Sequence, residues 1–187
     1  MRIISGNFKN KKLFQPNDNC TRPLKDLVKE SIFNIIEHSK LIKFKIENCK
    51  VLDLFSGSGS FGLECISRGA KKVWFCENHI PVIKILNKNI ANLKCKEKTD
   101  IYVEDIFKLS NNKSFLKNKF QIIFLDPPFK EKKIKELLEN LNKSNILDKK
   151  GIVILHRNKK YKDILPEKFK VELEKNYGLS KIIFGSF

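Results

Sequence analysis

Asp126-Pro127-Pro128-Phe129 is the stretch whose residue types and spacing most directly suggest chemistry. It follows Ile122-Ile123-Phe124-Leu125, an apolar run of strand length, so it stands where a buried strand would leave a sheet. Two consecutive prolines fix the backbone there and aim the Asp126 carboxylate, the Pro127 carbonyl and the Phe129 ring at one place. That trio suits a planar aromatic amine: carboxylate and carbonyl accept its two N–H bonds, and the ring stacks on its face. Asp-Pro-Pro alone would also serve as an ordinary turn; its place after a core strand makes it a candidate site.

A second stretch, Asp53-Leu54-Phe55-Ser56-Gly57-Ser58-Gly59-Ser60-Phe61-Gly62, ends another apolar run. Its glycines let the backbone turn sharply, and the helix expected after them presents unpaired N–H groups and a positive dipole end. Gly57, Gly59 and Gly62 satisfy G-x-G-x-x-G, the dinucleotide fingerprint, although a tight strand-to-helix turn needs similar residues. Glu77, followed by Asn78, ends the next apolar run, where a carboxylate can accept from ribose hydroxyls or stand solvated. Asp105, with Ile106 after it, ends a third and would meet a nucleoside base or cap a helix. The three histidines, His38, His79 and His156, share no metal-ligand spacing and are expected at the surface or at strand ends. Five cysteines, odd in number and without a Cys-x-x-Cys pair, argue against both a disulfide framework and zinc, so no metal is expected.

The elements that must position these groups alternate. Strand-length runs at Lys50–Phe55, Lys72–Glu77, Asp100–Glu104, Phe120–Leu125 and Gly151–Leu155 are separated by helical patterns. One such pattern has Val82, Ile83, Leu86, Ile90 and Leu93 on a face, and another has Ile134, Leu137, Leu138 and Leu141. Near-continuous apolar strands alternating with helices imply an α/β fold, a doubly wound, mostly parallel Rossmann-like sheet flanked by helices. Lys168–Glu174 and Lys181–Phe184 read as antiparallel strands closing it. Residues 1–40 differ: Arg2–Leu13 is a basic, Gly-containing candidate hairpin, and Thr21-Arg22-Pro23 opens a helix carrying Leu24, Leu27, Val28, Ile32, Ile35 and Ile36. The division expected is an N-terminal extension of hairpin plus helix, 1–40, and a main domain, 41–187, with the hairpin dispensable for the crevice.

The 187 residues carry 38 Lys+Arg against 21 Asp+Glu, a formal charge of +17, which calls for a polyanionic partner or reflects an AT-rich genome. The 41% apolar share supports a core. No run approaches the ~20 apolar residues of a membrane span, and the first residues lack a secretory pattern. A cytoplasmic protein is expected.

Asp53-x-Phe55-x-Gly57-x-Gly59 resembles the cofactor loop of class I S-adenosylmethionine-dependent methyltransferases, and Asp126–Phe129 resembles the Asp/Asn-Pro-Pro-aromatic motif of their amino-methylating members. The chain further resembles the bacterial 16S rRNA guanine-N2 methyltransferase family, RsmD. Arg2–Gly6 resembles its opening, and Arg22, Pro23, Asp26, Val28, Lys29, Glu30, Phe33 and Asn34 resemble its first helix. Leu63-Glu64, Ser67-Arg68 and Tyr177-Gly178 continue the match. Lys25, Leu27, Asn78-His79 and Leu179 depart from it. The resemblance implies methyl transfer from S-adenosylmethionine to N2 of guanine 966 of 16S rRNA, in an assembling small subunit, by a monomer. Catalysis would fall to Asp126, Pro127 and Phe129. The cofactor would meet Asp53, Phe55, Gly57, Ser58, Gly59, Glu77, Asn78, Asp105 and Ile106. RNA phosphates would meet Arg2, Lys9, Lys11, Lys12, Arg22 and Lys29. The residues by themselves also admit an adenine N6 or protein-amide methyltransferase, a nicotinamide-dependent oxidoreductase, and a noncatalytic RNA-binding protein.

Overall fold

A computed structural model describes residues 1–16, 24–107 and 116–187; Arg22 and the Thr21-Arg22-Pro23 helix opening lie outside the described residues. The described strands are β1 (Lys50–Leu54), β2 (Lys72–Cys76), β3 (Thr99–Tyr102), β4 (Phe120–Leu125), β5 (Leu147–Asn158), β6 (Lys170–Tyr177) and β7 (Ser180–Ser186). They form one sheet in the order β3-β2-β1-β4-β5-β7-β6. The β3-β2-β1-β4-β5 portion is parallel, and β7 pairs antiparallel with both β5 and β6. The described α-helices are α1 (Asp26–His38), α2 (Ser60–Ser67), α3 (Ile80–Asn92) and α4 (Ile134–Ser144).

Both faces of the sheet are covered, which is why its strands read as apolar runs rather than alternating ones. Along β4, Ile122 and Phe124 enter one core with α1, α2 and α3, while Ile123 and Leu125 enter a second with α4. The hairpin expected at the N-terminus is present: Arg2 and Lys12 form an antiparallel bridge, and Ile3 N–H donates to the Lys11 carbonyl at 2.9 Å. It packs into the main core, however. Ile3 and Leu13 are buried in the same core as Val28, Val51 and Phe124, so residues on both sides of position 40 share one hydrophobic cluster. β5 also runs beyond the expected Leu155, because β7 pairs with it as far as Asn158.

The chain runs outward from β1 to β2 and β3, then returns so that β4 lies on β1's other side. That reversal opens a crevice beyond the carboxyl ends of β1 and β4, the usual ligand position in such sheets.

Candidate active site

One register row gathers the site. Tyr102, Cys76, Leu54, Leu125 and Leu155 lie side by side on β3, β2, β1, β4 and β5. The next residues on the last four strands are Glu77, Phe55, Asp126 and His156, and all four line one cavity of about 520 Å³. That volume is within the range of ordinary small-molecule sites. Asp126 N–H donates to the Leu54 carbonyl at 3.3 Å, which ties the start of the Asp-Pro-Pro-Phe loop to the strand carrying the glycine loop.

The glycine loop turns through left-handed backbone at Phe55 (φ 58°), Gly57 (φ 55°) and Gly59 (φ 85°). Gly59 caps α2, and Gly62 sits where an added Cβ would approach Phe75 to 2.4 Å, so the helix lies hard against the sheet. Phe55, Gly57 and Ser58 line the cavity; Gly59 shapes the turn without lining it. Asp53, only 1% exposed, accepts from Gly62 N–H at 2.9 Å and so satisfies one of α2's unpaired amides. Burial pushes its carboxyl well above the ordinary value, the Gly62 bond opposes this, and the nearby Asp126 and Glu77 carboxylates add to it.

Glu77 braces the loop. One oxygen accepts from Gly57 N–H at 2.9 Å, and the other from Asn78 and His79 N–H at 3.0 Å each, just before α3. Asn78, Asp105 and Ile106 line the cavity at the same end; Asp105 also accepts from Phe107 N–H at 3.0 Å, forming a local turn. The resemblance implied S-adenosylmethionine, and one observation tests its fit. Among the described residues, the Ser56 hydroxyl is the buried side-chain polar atom with no hydrogen-bond partner, and Ser56 lines the cavity beside the glycine loop. A ligand carrying polar groups would satisfy that atom. Sequence reading passed over Ser56 in favour of its glycine neighbours.

Asp126, Pro127 and Phe129 all line the cavity. Two residues next to them were missed. His156, expected at the surface or a strand end, is 6% exposed inside β5. Its Nδ1 lies 2.8 Å from Asp126 Oδ1 and its Nε2 lies 2.9 Å from Ser180 Oγ. The Phe129 ring meets the imidazole edge-on, centroids 5.8 Å apart. Arg157, the next residue and 1% exposed, grips the loop from the other face of the sheet. It donates to the carbonyls of Pro128 at 3.0 Å, Phe129 at 3.2 Å and Glu131 at 2.9 Å, and is held by Asp163 at 2.8 Å. The signal for both was present: a histidine and an arginine directly follow an apolar strand equal in register to β4.

The ends of the N-terminal hairpin reach the site at one edge, where Met1, Gln15 and Pro16 contribute to the cavity wall. Arg2, Lys9, Lys11 and Lys12 are exposed on it. Lys29 is not. Expected to meet RNA phosphates, it is 0% exposed: its ammonium donates to the Arg2 carbonyl at 2.7 Å and Ser60 Oγ at 3.2 Å and lies 3.7 Å from Glu64. Burial lowers its pKa, with Glu64 opposing. The apolar spacing of α1 places Lys29 against α2 rather than in solvent. Among the described residues no group of three or more His, Cys, Asp or Glu could hold a metal ion, and no helix is long and apolar enough to cross a membrane.

The family described as "Conserved hypothetical protein 95" matches residues 1–186. "Ribosomal RNA small subunit methyltransferase D" of Haemophilus influenzae is 34% identical over 183 residues, covering 96% of this chain and 90% of that protein. The protein of the same name from Escherichia coli K12 is 32% identical over 156 residues, 82% of this chain and 72% of its own. The solved structure of "Putative methyltransferase yhhF" from Escherichia coli superposes with a TM-score of 0.80 at 26% identity, covering 99% of this chain and 96% of that one. The fold is that of class I methyltransferases.

Proposed function

The chain belongs to the family described as conserved hypothetical protein 95, the RsmD family, and on that premise we propose that it methylates small-subunit ribosomal RNA from S-adenosylmethionine. The finer reading is that the acceptor is the exocyclic N2 of guanine 966 in 16S rRNA, within an assembling subunit, and that the protein acts as a cytoplasmic monomer. The observation that supports the reading is the shared register row, which brings the Asp126–Phe129 loop and the glycine loop to one crevice.

Bound there, S-adenosylmethionine supplies an activated methyl group. Glu77, Asn78, Asp105 and Ile106 would hold its nucleoside part; Asp53, Phe55, Ser56, Gly57, Ser58 and Gly59 would build the loop around the rest. The protein's remaining work is alignment. A guanine amine is a poor nucleophile because its lone pair is delocalised into the ring. Hydrogen bonds from that amine to the Asp126 carboxylate and the Pro127 carbonyl orient the lone pair and favour charge developing on nitrogen. Phe129 stacks on the base once it has left its own stack. Arg2, Lys9, Lys11, Lys12 and, beyond the described residues, Arg22 neutralise phosphates without reading bases.

The test is incubation with labelled S-adenosylmethionine and undermethylated small subunits or naked RNA, followed by nucleoside analysis. Label in N2-methylguanine supports the reading; label in N6-methyladenine or in protein replaces it with another acceptor. Asp126→Ala should lower turnover more than ~100-fold while cofactor affinity holds, and near-wild-type turnover would refute its role. Thermal stabilisation should follow S-adenosylmethionine and not NAD.

A further inference from the structure

His156 and Ser180 continue the Asp126 side chain into the protein interior as one hydrogen-bonded chain. Building on the reading that Asp126 meets the acceptor amine, we propose that His156 is a positioning residue. It holds Asp126 Oδ1 by its Nδ1–H and is itself held by Ser180, so that Oδ2 is presented to the acceptor.

The bonding partners assign the donors. A carboxylate accepts, so the bond to Asp126 places a proton on Nδ1, while the Ser180 hydroxyl, which both donates and accepts, partners Nε2 whichever way that bond runs. Serine, histidine and aspartate in a row are also the parts of a hydrolase triad, but here their order relative to the cavity is reversed. Ser180 is 4% exposed on β7 and does not line the cavity, so no substrate reaches its oxygen. Asp126, with a fifth of its side chain exposed, and His156 do line it. The carboxylate is the working end and the serine the anchor.

Three strands fix the chain. The Leu125–Leu155 pairing sets Asp126 beside His156, and the Asn158–Ser180 pairing brings β7 within reach of the ring's far nitrogen. Two prolines after Asp126 restrict the backbone but leave its χ angles free, so a carboxylate at a cavity edge needs a partner to hold one rotamer. The imidazole is that partner, and its plane is set in turn by Ser180 and by the Phe129 edge contact. His156 touches neither methyl donor nor acceptor in this scheme. The amine's proton leaves for Asp126 Oδ2 or solvent, while Nδ1 keeps its own.

The test uses the full chain with two replacements that each keep half of the ring's bonding. The amide nitrogen of His156→Asn stands near the Nδ1 position and can still donate to Asp126; that of His156→Gln stands near Nε2 and cannot. Loss of a hydrogen bond to a charged partner should lower kcat for His156→Gln about 10- to 100-fold, with cofactor affinity and acceptor KM near wild type. His156→Asn should recover most of that loss, and Ser180→Ala should show a smaller one. Equal losses in the Asn and Gln variants, or wild-type kcat in Gln, overturn the proposal. A second readout does not depend on turnover: in nitrogen-15 spectra the His156 ring should carry its proton on Nδ1, and a ring protonated on Nε2 alone overturns it too. A wild-type protein that methylates no RNA would instead refute the functional reading, and the tautomer would still decide the geometry.

Discussion

Removing the charge of Glu64 by Glu64→Gln should loosen the N-terminal hairpin and the helices beneath it together. Glu64 is 0% exposed, and its carboxylate accepts from Ile4 N–H at 2.7 Å, Ser5 N–H at 2.9 Å and Arg68 Nε at 2.9 Å. It is also the buried countercharge of Lys29, 3.7 Å away. Breaking a buried pair by neutralising one partner leaves the other charge uncompensated, which costs about 3–5 kcal/mol. For a chain of 187 residues each kcal/mol lowers Tm by about 2–4 °C, so the expected drop is about 6–20 °C. Glutamine keeps one acceptor and the shape, so the backbone amides suffer less than the ammonium does. Two further measurements separate charge from packing. Adding Lys29→Met to the variant should restore part of the lost stability, because the stranded charge is gone. Stability of Glu64→Gln should also recover as the pH rises towards 10.5. Burial lowers the folded-state pKa of Lys29 below that value, so the unfolded chain binds more protons in the interval and stability rises with pH there. Since Met1, Gln15 and Pro16 line the cavity, cofactor affinity should fall with the hairpin's attachment. A Tm within about 2 °C of wild type, or strictly additive losses in the double variant, would refute this account of the buried pair.

Three other perturbations have defined outcomes. Asp53→Asn keeps an acceptor for Gly62 N–H and removes a buried carboxylate whose folded pKa is raised; because wild type loses stability as the pH rises from 3.8 through that interval, the melting difference in favour of Asn should widen from acid to neutral pH, and a flat difference counts against it. Arg157→Met frees three loop carbonyls and strands Asp163, so melting should report a loss of about 3–5 kcal/mol and turnover assays a higher acceptor KM; Arg157→Lys should not restore either, since one ammonium cannot span those partners. Replacing Lys9, Lys11 and Lys12 by Ala should lower the slope of log K against log salt for RNA by about two to three units while leaving the melting temperature alone, and an unchanged slope would assign their charge to solvation.

What the sequence disclosed and what it hid divide along a physical line. Strands buried on both faces must be nearly all apolar, so β1, β2, β4 and the middle of β5 were legible, and prolines and glycines marked where β4 and β1 stop. The cavity-lining set was legible for the same reason, because most of it lies at strand ends that punctuation reveals. Residues whose meaning depends on a distant partner were not. Lys29 finds Glu64 across 35 positions of chain, and a lysine on an amphipathic helix reads as solvent-facing until that pairing is known. His156 reads as a loose strand end until Leu155 is known to pair with Leu125 and β7 to fold back as far as Asn158. Charge count misled in the same way: +17 is a property of the whole chain, yet Arg157 and Lys29, two of its cations, are spent inside. Arg157 is bound by carbonyl oxygens and Asp163 at the Asp126–Phe129 loop, and Lys29 by one carbonyl, a serine hydroxyl and Glu64 beneath the hairpin. Counting cations from sequence therefore overstates the positive charge at the surface and understates how far buried charge organises the site. The exposed hairpin cations lie on the side of the sheet covered by α1 to α3, whereas Arg157 holds the loop that follows β4 from the side of α4. The proposed RNA contacts and the proposed acceptor alignment therefore lie on opposite sides of the sheet and can be altered separately.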